Sequence, residues 1–217
     1  MTIRICPSIL NANFDDLPNE IKKIESVSDF LHLDVMDGSF VPRKTFDLEE
    51  SERLVKGTTL RTDAHLMISN PDLEAPKYGE IGCFSVTFHF EAAKNPQQIL
   101  RDIRKSGARS SIAVKPGTDI DVIKDFLTDI DMILIMTVEP GAGGQSFMKE
   151  MMPKVRRARE LIDSSQIWLQ VDGGISLETI AIAHAAGADT FVAGSAVFRD
   201  PNPSEMVERL RKLASSK

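Results

Sequence analysis

The 217-residue chain lacks several things, and each shortage excludes a class of protein. It has only two cysteines, Cys6 and Cys83, too few for the disulfide framework of a small secreted scaffold, so both are expected to stay reduced in the cytoplasm. Its longest uninterrupted aliphatic run, Met132-Ile133-Leu134-Ile135-Met136, falls far short of the about 18 residues that a bilayer span needs, and no membrane partner is expected. Positive charge is in deficit: 26 Lys and Arg stand against 32 Asp and Glu, a net charge of −6, so a basic nucleic-acid footprint is absent. The amino end, MTIRICPSILNANFDD, has one Arg, a Pro inside its apolar stretch and no small-residue cleavage pattern, and does not read as a secretory signal. No linker, low-complexity tract or composition shift interrupts residues 1–217, which are expected to form one domain.

What is present is alternation. Eight short apolar, β-branched runs lie near 3–9, 30–34, 61–67, 85–89, 110–114, 132–136, 167–172 and 190–193. Between them, segments such as 97–106, 152–164 and 177–186 carry the i, i+3, i+4 apolar spacing of helices packed on one face, and a last helix is expected over 204–214. Gly82, Gly107 and Gly187 each close a helical segment and open a strand, where a left-handed residue ends a helix at least cost. Eight βα units of about 27 residues each fit an α/β fold, a single-domain (β/α)8 TIM barrel. An open doubly wound sheet is the alternative, but no G-x-G-x-x-G follows the first strand.

In such a barrel, chemistry belongs at the carboxyl ends of the strands. Side chains alternate along a strand, so His32, Asp34 and Met36 share one side of the second run, and Asp63, His65 and Met67 share one side of the third. The seventh run brings Asp172 to the same rim. His32, Asp34, His65 and Asp172 thus form a candidate site for one divalent metal per chain: zinc first, with iron(II), manganese or cobalt also suited to imidazole and carboxylate. The remaining histidine outside the strands, His184, falls mid-helix and reads as a surface or packing residue. Three glycine-bearing segments follow strands six to eight: Gly141-Ala142-Gly143-Gly144, Gly173-Gly174 and Gly194-Ser195. Backbone N–H groups freed by glycine can wrap an anion such as phosphate, aided by a helix start after strand eight. Met36, Met67 and Met136 sit at strand ends beside these groups, either as core filling or as an apolar floor to the site.

The chain resembles the ribulose-phosphate 3-epimerase family from end to end. The residues carrying the resemblance are Pro7-Ser8-Ile9-Leu10, His32-Leu33-Asp34-Val35-Met36-Asp37-Gly38 with Phe40-Val41-Pro42, His65-Leu66-Met67, Pro116-Gly117-Thr118, Met136-Thr137-Val138-Glu139-Pro140-Gly141, Val171-Asp172-Gly173-Gly174 and Val192-Ala193-Gly194-Ser195. The resemblance implies interconversion of D-ribulose 5-phosphate and D-xylulose 5-phosphate in the pentose phosphate route. It makes Asp34 and Asp172 the two acid–base groups, working through a metal-stabilised enediolate, and His32, Asp34, His65 and Asp172 the metal ligands. Ser8 and the three methionines would line the sugar site, His65, Asp172 and Gly173 would also bind substrate, and Gly143, Gly144, Gly174, Gly194 and Ser195 would hold the phosphate. His89 and Glu91 would support the ligands from behind. A sugar phosphate is the expected partner, and a homo-oligomer is expected.

The chain departs from the family pattern in two loops. Ser39, Arg43 and Asp47 stand where the family shows His, Asn and Gly, and Ala142 stands where Phe is usual. These changes bear on the shape of the second loop and on how tightly the sixth excludes water. An epimerase of another ketose phosphate, such as D-allulose 6-phosphate, would share the same fold, metal and bases, and a catalytically idle phosphate-binding barrel would share the fold. The Asp-x-Lys-x-x-Asp signature of orotidine phosphate decarboxylase follows no strand here.

Overall fold

Strands form where apolar and β-branched residues run together, and the parallel sheet they build is covered on its outer face by the amphipathic segments between them. In the computed structural model, which describes residues 2–163 and 165–215, the strands are β1 (Arg4–Pro7), β2 (Leu31–Met36), β3 (Thr62–Met67), β4 (Ser85–His89), β5 (Arg109–Val114), β6 (Met132–Met136), β7 (Trp168–Asp172) and β8 (Thr190–Ala193). All pair in parallel, in the order β1-β8-β7-β6-β5-β4-β3-β2, and a parallel bridge between Ser8 and His32 draws the two ends of the sheet together. The result is the nearly closed eight-stranded barrel expected from the alternation. Its main core lies between sheet and helices, where Leu31, Leu33 and Val35 of β2 point, so His32, Asp34 and Met36 face the barrel interior.

The helices are α1 (Leu17–Ile24), α2 (Leu48–Lys56), α3 (Pro71–Glu80), α4 (Pro96–Lys105), α5 (Met152–Ile162), α6 (Ile180–Ala185), α7 (Ser195–Phe198) and α8 (Pro203–Ser215). Their starts obey local chemistry: Asp47 and Glu50 form a reciprocal capping box on α2, and the Asn95 side chain accepts from Gln98 N–H on α4. Gly82, Gly107 and Gly187 have φ of 102°, 95° and 113°, the left-handed turns expected between helix and strand.

Most boundaries shift by one or two residues from expectation, and three departures have a local chemical cause. β1 stops at Pro7 because the Ser8 hydroxyl accepts from Leu10 N–H and turns the chain into a 3₁₀ helix over Ile9–Asn11. The crossover after β5 is a 3₁₀ helix over Ile120–Phe126, rich in β-branched and Asp residues of low helix propensity. α6 starts at Ile180 rather than 177, since Thr179 folds back to accept from Ser176 N–H and donate to the Gly174 carbonyl. Ser164, the last residue of the helix expected over 152–164, lies outside the described residues, as do positions 1, 216 and 217 of the expected domain. No helix of the described residues is long and apolar enough to cross a membrane, and both cysteines are unpaired and buried.

The amino-terminal end of the barrel is sealed by stacking and ion pairs. Trp168 lies between the guanidinium groups of Arg4 and Arg109, 3.9 and 3.8 Å from its ring centre, and packs against Phe30 and Phe84. Asp189, buried just before β8, accepts from Arg159 at 2.7 Å, Thr190 Oγ1 at 2.8 Å, Leu169 N–H at 3.1 Å and Arg4 at 3.4 Å. Asp189→Ala should therefore cost about 3 kcal/mol, the low end for a broken buried pair because both arginines can rehydrate. The check is a lowered urea midpoint at unchanged m value; a loss below about 0.5 kcal/mol would show that the network contributes nothing.

Candidate active site

Parity along the strands and register across them decide which side chains meet. Asp34 of β2 stands opposite His65 of β3, His32 opposite Asp63, and Met136 of β6 opposite Asp172 of β7. Facing inward, one ligand atom from each of His32, Asp34, His65 and Asp172 falls within 4.8 Å of all the others. His65 Nδ1 is 3.1 Å from Asp34 Oδ1 and 3.6 Å from Asp172 Oδ2, and His32 Nε2 is 3.5 Å from Asp34 Oδ1. The structure thus gathers in one place the four residues singled out in the sequence.

Hydrogen bonds behind these groups fix which nitrogen faces the cluster. His32 Nδ1 donates to Asp63 Oδ2 at 2.9 Å, and Asp63 is held in turn by Ser85 Oγ at 2.6 Å and Gln170 Nε2 at 2.8 Å. That bond turns the His32 Nε2 lone pair toward Asp34 and Asp172, where this fully buried atom has no hydrogen-bond partner. On the other side, His65 Nε2 lies 2.9 Å from His89 Nε2, and His89 Nδ1 lies 3.3 Å from Glu91 Oε2. Burial would raise the Glu91 pKa, but bonds from His89, the Thr118 hydroxyl and Lys115 N–H bring it down to about 2. Burial and the neighbouring His65 push His89 down to about 4. An ionised Glu91 therefore accepts from neutral His89, which accepts from His65 Nε2–H and leaves the His65 Nδ1 lone pair facing Asp34 and Asp172. Two imidazole lone pairs and two carboxylates converging in this way call for positive charge between them, and their donor set fits a divalent cation.

The two carboxylates are unlike. In the metal-free protein, burial would lower the His32 pKa, but Asp34 and Asp63 raise it well above the usual imidazole range. Burial likewise raises the Asp34 pKa, but the charge and bonds of His32 and His65 outweigh it and hold Asp34 well below the usual range. A bound cation would take over that role and leave the imidazole lone pairs free to face it. Asp172 is pushed up to about 6 by burial and by the charge on Asp34. Asp34 Oδ2 also accepts from Ser8 Oγ at 2.5 Å, and the Asp172 carbonyl accepts from Thr137 N–H at 2.7 Å.

Both carboxylates form the floor of a cavity of about 500 Å³, open mouth included, at the carboxyl ends of the strands. Ser8, Met36, Met67 and Met136 line it, as do Gly143, Gly144, Gly173, Gly174, Gly194 and Ser195. His32 and His65 do not line it; both are fully buried behind Asp34, so His65 sits beneath the expected sugar site rather than on its wall. His184 Nδ1 donates to the Ala188 carbonyl at 2.9 Å, just past the end of its own helix, and is not part of the cluster. The helix after β8 is the four-residue α7.

Asn11 was not singled out by the sequence, yet its side chain packs into the glycine corner. A Cβ on Gly143 would lie 2.5 Å from Asn11 Oδ1, and one on Gly194 2.6 Å from the same atom, so only glycine admits this wedge between the loops after β6 and β8. Its one legible signal is a polar side chain just past β1, on the rim that carries the other groups. The altered second loop is well anchored: Asp37 accepts from Ser39, Phe40 and Ser69 N–H, Asp47 caps α2, and Arg43 is exposed.

The split between the carboxylates is open to direct measurement. In the metal-free protein the Asp172 carboxyl should titrate near pH 6 by carbon NMR, and Asp34→Asn should lower that value by removing the negative charge that raises it. An unchanged midpoint in the variant would show that the two groups do not interact.

Comparison with known proteins places this geometry. The model of the ribulose-phosphate 3 epimerase family matches residues 4–198. The ribulose-phosphate 3-epimerase of Mycobacterium leprae (strain TN) is 47% identical over 214 residues, covering 98% of this chain and 95% of that protein. Among solved structures, 3-hexulose-6-phosphate synthase from Salmonella typhimurium superposes with a TM-score of 0.74 over 98% of both chains at 16% identity. KGPDC from Streptococcus mutans gives 0.75 over 99% of this chain and 98% of that one at 13% identity. At such identities these two barrels share the fold alone.

Proposed function

The chain belongs to the ribulose-phosphate 3-epimerase family of enzymes, and we propose that it interconverts D-ribulose 5-phosphate and D-xylulose 5-phosphate by inverting carbon 3. The observation that carries this reading is the convergence of two fixed imidazole lone pairs on two carboxylates of unlike acidity at the floor of an open cavity. His32, His65, Asp34 and Asp172 would hold one divalent cation, with zinc first and iron(II), manganese or cobalt also compatible with the donors. When bound, the cation supplies Lewis acidity to the oxygens beside carbon 3, without which a proton next to a carbonyl is too weak an acid to remove.

The protein's own groups do the rest. Inversion needs a proton taken from one face of carbon 3 and a proton returned to the other. Asp34 and Asp172 rise from different strands, β2 and β7. Asp34 is suited to accept, while Asp172, the less acidic of the two in the metal-free protein, can carry the proton to be delivered; in the reverse direction the roles exchange. Ser8 holds one oxygen of Asp34 and so orients the other. The methionine floor keeps water from the reacting carbon, and backbone N–H groups at Gly143, Gly144, Gly173, Gly174, Gly194 and Ser195 would anchor the phosphate away from it. The reading also places the enzyme in the cytoplasm, as a homo-oligomer; two buried unpaired cysteines are compatible with a reducing compartment.

A coupled assay with D-ribulose 5-phosphate and, separately, D-allulose 6-phosphate tests the reading, each with chelator and with re-added divalent metals. Chelator-sensitive formation of D-xylulose 5-phosphate is the expected result. Preference for the hexose phosphate would move the substrate and keep the chemistry, whereas silence with both after metal is restored would refute an epimerase. Asp172→Asn should reduce turnover by at least about 10²-fold with the fold intact by circular dichroism; activity within a few-fold of the parent would reject the two-base scheme.

A further inference from the structure

The cavity wall carries three carboxylates, Asp34, Glu139 and Asp172, and no Lys or Arg. A phosphate ester brings roughly −1.5 to −2 charges at neutral pH, and this protein has a net charge of −6. Backbone N–H groups offer only partial charges against that repulsion. A bound divalent cation would offset Asp34 and Asp172 but leaves Glu139 and the net charge unanswered, and the structure holds a full positive charge immediately outside the wall near the glycine corner.

We propose that the Arg199 guanidinium clamps the substrate phosphate from outside the 143–144 turn; this rests on the sugar-phosphate reading above. A Cβ on Gly144, whose φ is +76°, would lie 3.3 Å from Arg199 Nη2, 3.8 Å from Cζ and 3.9 Å from Nη1, so the guanidinium covers the turn itself. Arg199 follows Ser195 by one helical turn, its N–H donating to the Ser195 carbonyl at 3.2 Å. Arg199 caps the end of α7, and Ser195 stands at the start of that helix. Arg199 also lines an outer groove that shares Gln145, Gly174, Ile175 and Ser195 with the cavity wall. An exposed arginine is ordinary, but this one makes no side-chain hydrogen bond or ion pair among the described residues, although Glu178 lines the same groove. Its planar donor fork suits phosphate oxygens and remains available to them. Gly144 is required for its backbone conformation, and its lack of a side chain lets the guanidinium lie close against the turn.

The test uses the full-length, metal-loaded protein with two readouts: KM for D-ribulose 5-phosphate and the inhibition constant of inorganic phosphate. Arg199→Ala should raise both together about tenfold, as for loss of a hydrogen bond to a charged group, with kcat falling far less than KM rises. Arg199→Lys, which keeps the charge and loses the fork, should recover part of both constants. Constants within about twofold of the parent in Arg199→Ala, or a rise in KM with no rise in the phosphate constant, would overturn the clamp while the epimerase reading stands. Should the parent prove inactive, calorimetric titration with inorganic phosphate still decides: binding lost in Arg199→Ala supports the clamp although the epimerase reading fails, and equal binding in both overturns it.

Discussion

Three ionisable side chains removed from water at one end of a barrel, with a fourth, Asp172, half-buried beside them, set the terms for the rest of this structure. His32 and His65 are fully buried and Asp34 nearly so, a burden that a folded chain sustains only if each group is paired. The supporting residues follow from that requirement. Asp63, Ser85 and Gln170 form a chain of bonds that settles on His32, and Glu91 reaches His65 through His89. Each chain ends by turning an imidazole lone pair inward. What is left unsatisfied, His32 Nε2 above all, is left facing the one place where a cation would satisfy it.

The two ends of the barrel divide the work. At the amino-terminal end, Trp168 between two arginines and Asp189 among its donors close the interior with contacts that have no chemical use beyond stability. That closure lets the other end remain open, with loops shaped by glycine around a cavity instead of by a packed core. The same opening leaves three acidic groups on the wall where a phosphate would arrive, an electrostatic conflict that backbone donors and charge outside the wall would ease. On the proposed reading chemistry and anchoring would be separated in space: proton transfer on β2 and β7, anion recognition after β6, β7 and β8.

The departures from the family pattern fit this division. Asp47 serves as the helix cap of α2 and Arg43 is exposed, so neither touches the floor of the cavity. Ala142 does line the cavity, in the loop that would exclude water, and its small side chain leaves more room there than a phenylalanine would.

Much of the fold and most of the floor of the site were legible in the sequence, because both depend on short periodicities. Eight apolar runs separated by helical spacing specify a βα barrel, and the two-residue period of a strand places His32 with Asp34 and Asp63 with His65 on common sides. The boundaries at Ser8, at Ile120–Phe126 and before Ile180 were not legible, since side-chain bonds to the backbone compete there with regular structure. Asn11, the burial of His65 behind Asp34 and the place of Arg199 beside Gly144 were also hidden, as each joins residues from distant parts of the chain. The sequence by itself determined which groups share a strand face. Tertiary structure alone decided which of them reach the cavity, which turn away to hold a neighbour, and how far apart the acidities of Asp34 and Asp172 lie, because register, burial and charge act through space.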